Sequence, residues 1–297
     1  MKGAFCLQAT FNRRQLWLCL VPLLLALCLI FAVTKQNQIT IHKSAIILRQ
    51  GPGLTYAPIK QSATETGQII GQRNSWYKLR IDDHQVAWAP AWRLKNQTKV
   101  GTHNALSEAT IVIDAGHGGS DSGAEYHDNS NNPKYMEKTY TLALANRVAS
   151  KLRAQGARVI MTRDNDQFVA LKPRPKMAEK AKADVFISFH YDSSPQANEG
   201  SGVTTYYYHR GYHRGPSKEL AQTVNHQFNH LPLKNLGINF GDFLVIRDNT
   251  QPAILCEMGY INTKRDFQQI KTARYQNQVA NDVVTGLNQF CQNRAGK

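Results

Sequence analysis

The chain has 297 residues, 42% of them hydrophobic and 19% charged, which leaves room for one domain of ordinary size and a smaller companion and excludes a disordered or fibrous protein. Lys and Arg outnumber Asp and Glu by 36 to 21, a formal net charge of +15, and only Lys2, Arg13 and Arg14 of those bases precede residue 35. No finger spacing, basic heptad helix or aromatic RNA-binding strand accompanies the charge, so no nucleic-acid partner is expected; an anionic polymer or surface fits better.

Leu16 to Val33 is an uncharged, almost wholly apolar run of 18 residues behind Arg13 and Arg14. At about 1.5 Å per residue it just suffices to cross a hydrocarbon core of about 30 Å. The expectation is a signal anchor over residues 1–38, with the N-terminus in the cytoplasm and the rest outside the cell membrane. The competing reading is a cleaved signal peptide, which would release the chain to the outside. No A-x-A site precedes Lys35, which favours the anchor.

Three of the five cysteines, Cys6, Cys19 and Cys28, belong to this leader. Cys256 and Cys291 lack the CxxC spacing of a redox or metal site and read as buried thiols, although a single bridge between them stays open.

Residues 39–95 change character. Short alternating segments (ITIH, AIILR, WYKLRI, VAWA) separated by turn-formers such as QGPG and DDH predict a small all-β barrel. Trp76, Tyr77, Trp88 and Trp92 would either fill its core or stack on a ligand. Residues 96–109 are polar and aperiodic and read as a linker.

From Thr110 to Lys297 strand and helix alternate. TIVID is followed by a Gly- and Asn-rich loop and a helix from about Pro133 to Gln155, capped by Asn132. Then come ARVIMT, a helix near Lys176–Ala183, the strands DVFISFH and GVTTYYY, and a helix over Ser217–His230. The strands FLVIR and PAILCEM and a last helix near Arg274–Phe290 complete the order. This order predicts an α/β domain, a mostly parallel sheet covered by helices on both faces.

Three apolar strands end in a potential ligand or catalyst: IVID leads to His117 in a glycine-rich turn, DVFISFH to His190, and PAILCE to Glu257. In an open α/β sheet chemistry gathers outside the carboxyl ends of the strands, so the three point to one site. Glu137 lies early in the following helix, at the same sheet edge. Two imidazoles and a carboxylate suit Zn2+ with one position left open, which makes His117, Glu137 and His190 the candidate ligands. Glu257, expensive to bury without a partner, is the candidate general base. His127, in the mobile-looking loop, is a weaker competitor for the metal.

These segments also carry two resemblances. ILRQGPG, SWYKLRI and QVAWAPAWRL resemble the bacterial Src-homology-3-like domains that accompany cell-wall enzymes, which implies that residues 39–95 bind peptidoglycan. IVIDAGHGGSDSGA, EKTYTLALANRV, VIMTRDND, ADVFISFH and PAILCEMGYINT resemble the zinc-dependent N-acetylmuramoyl-L-alanine amidases of bacterial cell walls, from about Ile111 to Phe290. That resemblance implies zinc on His117, Glu137 and His190, Glu257 as catalytic acid and base, and cleavage of the amide bond between the muramoyl group and L-alanine of the stem peptide. Arg163 matches a recurrent Thr-Arg of the family, as either a structural or a substrate-facing residue.

The chain departs from the family at Tyr191-Asp192, at Glu179 and in a longer loop from Glu125 to Lys134, which leaves substrate preference open. The rival functions are a zinc peptidase cutting within the stem peptide and an inactive wall-binding protein. Peptidoglycan is the expected partner. Anionic wall polymers would be drawn to the basic surface, and the membrane would be reached through the N-terminal helix.

Overall fold

The computed structural model describes residues 13–36, 38–82, 85–94, 103–127, 135–211 and 213–297. Helix α1 spans Arg13–Gln36, with Pro22 inside it and side chains described over 17–29. Among the described residues no helix is long and apolar enough to cross a membrane. This corrects the expected membrane-spanning anchor, and with it the single-pass location and the membrane partner.

Strands β1 (Gln38–His42), β2 (Thr64–Arg73), β3 (Trp76–Arg80) and β4 (Val86–Pro90) form an antiparallel sheet in the order β1-β2-β3-β4, closed by a one-turn helix α2 (Ala91–Leu94). Its core is built from Ile41, Leu79, Ala87 and Ala89, with Ile46 and Leu48 from the β1–β2 connection. Arg49 bridges both Pro58 and Trp88 and so draws that connection onto the sheet.

The expected linker is packed structure where it is described. Ala105–Glu108 form a 3-10 turn capped by Asn104, whose side chain accepts the Ser107 N–H, and 105–109 are buried; residues 95–102 lie outside the described residues. The reason is a buried ion pair. Arg49 of the N-terminal unit donates from Nε to Glu108, and both side chains are nearly inaccessible. His103 Nε2 lies 2.6 Å from the other Glu108 oxygen. Polar residues here meet each other rather than water. Trp92 adds a bond from Nε1 to the Gly156 carbonyl at 3.0 Å.

The second sheet contains β5 (Thr110–Ala115), β6 (Arg158–Met161), β7 (Val185–Asp192), β8 (Val203–Tyr207), β9 (Asn235–Phe240) and β10 (Ala253–Tyr260), in the order β6-β5-β7-β10-β8-β9. Every neighbouring pair is parallel except β8 with β10. One face packs Ile111, Ile113, Ile187, Phe189, Ile254 and Cys256 under α3 (Glu137–Ala154), α5 (Arg214–Gln227) and α8 (Ala273–Arg294). The other packs Val112, Phe186 and Leu255 under α4 (Pro173–Ala181) and α6 (Leu244–Arg247), while α7 (Lys264–Ile270) follows β10. Cys256 and Cys291 are both buried free thiols.

Two elements differ from the sequence reading. FLVIR forms α6 rather than a strand, because its neighbours Val245 and Ile246 are both buried on one face, whereas successive strand residues point to opposite faces. The edge strand is β9 instead, in a segment with only weak alternation. Helix α3 begins at Glu137, four residues later than expected, since the Glu137 and Lys138 N–H groups are received by the Ala124 and Ser122 carbonyls. The predicted cap Asn132 and Pro133 lie outside the described residues.

Two substitutions test this packing. Glu108→Ala leaves Arg49 buried without its carboxylate and is expected to lower the free energy of unfolding by about 3–5 kcal/mol, measured by urea denaturation. Asp184, which precedes β7 and accepts the Thr110 N–H at 2.8 Å, is pushed up to about 6 by burial. A folded-state pKa above the unfolded value means that the charge costs stability: the penalty is absent below about pH 4 and complete above about pH 6. Asp184→Asn is therefore expected to stabilise the protein by about 3 kcal/mol at pH 7 and hardly at all at pH 4, read from parallel denaturation curves.

Candidate active site

Asp114 is the penultimate residue of β5, and its carboxylate is wholly inaccessible. It accepts hydrogen bonds from Thr162 Oγ1 at 2.6 Å, Ser188 Oγ at 2.7 Å and Arg174 Nη1 at 2.8 Å. Arg174, from the first turn of α4, also donates to the carbonyls of Ala115, His117 and Val169. Arg163 lies on the other side and donates to the Ala115, Gly116 and Lys138 carbonyls. Two buried guanidiniums thus grip the backbone from Ala115 to His117.

That grip matters because His117 has φ of +59°, a left-handed conformation that costs a residue with a Cβ about 1–3 kcal/mol and persists only when its surroundings enforce it. The turn brings the His117 ring back over the strand end. Its Nε2 lies 3.0 Å from Glu137 Oε2 and its Nδ1 3.0 Å from Asp121 Oδ2. His190, near the end of β7, places Nδ1 3.0 Å from Glu137 Oε1. Glu137 is itself anchored by the N–H groups of Ala124 and Tyr191, at 2.9 and 3.0 Å.

Donor atoms of His117, Glu137 and His190 all fall within 4.8 Å of one another, a group able to hold a metal ion. Glycine is required around them. A Cβ on Gly116 would sit 2.3 Å from the His190 ring, and one on Gly123 would meet Glu137 at 2.5 Å and the His117 ring at 2.7 Å.

Electrostatics follow the geometry. Burial works against a charged His117, but Glu137 and Asp121 outweigh it and hold the imidazole above its ordinary value. Burial likewise disfavours a charged Glu137, and the two imidazoles more than compensate, drawing its pKa well below the carboxylate range. Glu257 is the opposite case. Burial and the charges of Glu137 and Asp192 raise its pKa well above normal, and its Oε2 has no hydrogen-bond partner among the described residues. It lines the same cleft as His117 and His190.

All four residues singled out from the sequence therefore stand together. His127 does not join them: its side chain is 82% exposed and 3.9 Å from Glu125. Tyr191 turns away from the cleft into the core, edge-on to Tyr140, and Glu179 is exposed on α4. Residues 128–134 of the longer loop are outside the described ones. Arg163 is resolved as a structural residue, 1% exposed. Sequence reading left Asp121 and Arg174 unassigned. Asp121 was findable, four residues after His117 in the same turn; Arg174 carries no local signal.

Comparison with known proteins places this arrangement. A family model for N-acetylmuramoyl-L-alanine amidases matches residues 111–289. A probable cell wall amidase LytH of Staphylococcus epidermidis is 34% identical over 262 residues, which cover 86% of this chain and 84% of that protein. Among solved structures, the N-acetylmuramoyl-L-alanine amidase of Clostridium difficile 630 aligns with a TM-score of 0.58 at 34% identity, over 62% of this chain and 97% of that one. The catalytic domain of the amidase CwlV from Bacillus (Paenibacillus) polymyxa aligns with a TM-score of 0.57 at 37% identity, over 62% and 98%. The chain belongs to the N-acetylmuramoyl-L-alanine amidase family. It is a peptidoglycan hydrolase that cleaves the amide bond between N-acetylmuramoyl residues and L-alanine of the stem peptide.

Arg163→Met is expected to keep the fold, by circular dichroism, and to lose about 10- to 100-fold in activity, the range for removing a group that orients site ligands. Arg163→Lys should not restore it, because a single ammonium cannot span carbonyls that the guanidinium fork reaches together.

Proposed function

We propose that the amidase is zinc-dependent, with His117, Glu137 and His190 as the metal ligands and Glu257 as general base and then general acid. The observation that carries this reading is the convergence of three donors within 4.8 Å, with Glu257 Oε2 left without a partner among the described residues. The donor set fits the ion: two imidazole nitrogens and one carboxylate satisfy zinc while leaving a position for reactants. When bound, zinc supplies Lewis acidity to the scissile carbonyl and to the attacking water.

The protein groups do the rest. Glu257 Oε2 removes a proton from water as the water oxygen attacks the carbonyl carbon. The carbon–nitrogen bond then breaks as the same carboxyl returns that proton to the alanine nitrogen. Products are the lactyl carboxylate and a stem peptide with a free alanine amino terminus. Asp121, whose Oδ2 is 3.0 Å from His117 Nδ1, would orient the ring and leave Nε2 available as the ligand atom, the usual task of a carboxylate behind a ligating imidazole.

The N-terminal sheet, within residues 39–95, is on this reading a Src-homology-3-like unit that holds the enzyme to peptidoglycan. Its short antiparallel strands support that assignment. Trp76, 3% exposed, and Trp92, edge-on to it at 6.1 Å, are committed to packing, so ligand contacts fall to other side chains. The net charge of +15 supports attraction to anionic wall polymers, which added salt would weaken.

The test is mass spectrometry of soluble products from purified peptidoglycan. Stem peptides beginning with alanine are expected with zinc, none after chelation, and recovery on adding zinc back. Peptides cut elsewhere would replace the reading with a zinc peptidase. Glu257→Gln is expected to lower turnover by about 10²- to 10⁴-fold with an unchanged zinc content by elemental analysis.

A further inference from the structure

The cleft beside the metal-binding group has a volume of about 260 Å3. His117, His190 and Glu257 line it. The rest of its lining is largely apolar: Leu171, which precedes α4, Phe243 and Val245 at α6, and Leu255 of β10. Leu171 is 57% exposed and Phe243 39%. Two large apolar side chains opening onto one cleft form a patch rather than scattered singles.

The segments that carry both groups are tied to the surrounding structure. The Phe243 ring packs edge-on against Tyr206 at 5.2 Å, and Gly241 leaves the space that a Cβ, 2.7 Å from that ring, would take. Arg174 donates to the Val169 carbonyl as well as to that of His117, so the segment leading to Leu171 and the turn carrying His117 share one anchor. Leu255 and Glu257 are two residues apart on one face of β10, about 7 Å along the strand, opposite Tyr206 and Thr204 of β8.

The chemistry of this lining selects its occupant. Arg174 is 2% exposed and engaged with Asp114 and three carbonyls, so it has nothing to offer a carboxylate. Asp121, which lines the same cleft, repels one. A stem peptide carries free carboxylates. The N-acetylated sugar carries none, and its C–H face and acetamide methyl match an aromatic ring and aliphatic walls. We propose that the part of the cleft lined by Leu171, Phe243 and Leu255 is the subsite for the muramoyl sugar, and that the stem peptide leaves the cleft on the other side of the metal group. The proposal rests on the amidase activity of this site.

The test compares two substrates on zinc-loaded full-length enzyme: an N-acetylmuramoyl-L-alanyl peptide, and the matching D-lactoyl-L-alanyl peptide, which keeps the scissile amide and lacks the sugar. The unaltered enzyme is expected to favour the first by tenfold or more in kcat/KM, the order of discrimination that apolar contacts supply. Leu171→Ala and Phe243→Ala should each shrink that preference about fivefold or more, mainly through KM, whereas Phe243→Tyr should keep it. Equal losses on both substrates, an unchanged preference in both alanine variants, or no preference in the unaltered enzyme would overturn the subsite. Cleavage of the muramoyl peptide at a different bond, seen by mass, would instead overturn the amidase reading and the subsite with it.

Discussion

Asp114 lies at the carboxyl end of β5 without solvent contact, and a buried carboxylate persists only where its charge and lone pairs are met. Thr162, Ser188 and Arg174 meet them from β6's end, from β7 and from α4. The same guanidinium continues to the carbonyls of Ala115 and His117. One carboxylate therefore ties four elements together and, through Arg174, holds the place where the chain turns out of the sheet.

The position of His117 follows from that turn. His117 occupies a left-handed conformation that its own backbone would not choose, and Arg163 and Arg174 hold the surrounding carbonyls so that it stays there. With His117 fixed, Gly123 lets Glu137 come alongside, and Gly116 leaves room for the His190 ring. Glycine's value at these two positions is the absence of a side chain that would collide with His190, Glu137 or His117. The group able to hold a metal ion stands on strand ends and a helix N-terminus, rigid elements that hold side chains more precisely than loops do, with Glu257 in the same cleft.

The junction with the N-terminal sheet follows the same logic on the far side of the fold. Arg49 and Glu108 are buried against each other, His103 adds a second contact to that carboxylate, and Trp92 reaches the Gly156 carbonyl after α3. Such pairs add little net stability over apolar packing, but their loss is costly because one charge stays buried. The two units are joined through packed, charge-matched structure in 103–109, not only by the chain between them.

Much of this was legible in the sequence. Three apolar strands ending in His117, His190 and Glu257 announce a site, because strand ends in an open parallel sheet converge. The alternation of strand and helix from Thr110 onward determined the layered architecture, and glycines crowding His117 marked a tight turn. What only the tertiary structure decided has no local periodicity to betray it. Arg174 and Asp114 are 60 residues apart in the chain, and their partnership exists only once α4 packs against β5. Val245 and Ile246 form a helix because the α4 face needs both of them buried, although their residue types favour a strand. Glu108 reads as a solvated linker charge until Arg49 arrives from the other unit. Periodicity is written by a chain's own geometry and can be read from it; the pairing of buried charges is written by packing and appears only with the fold.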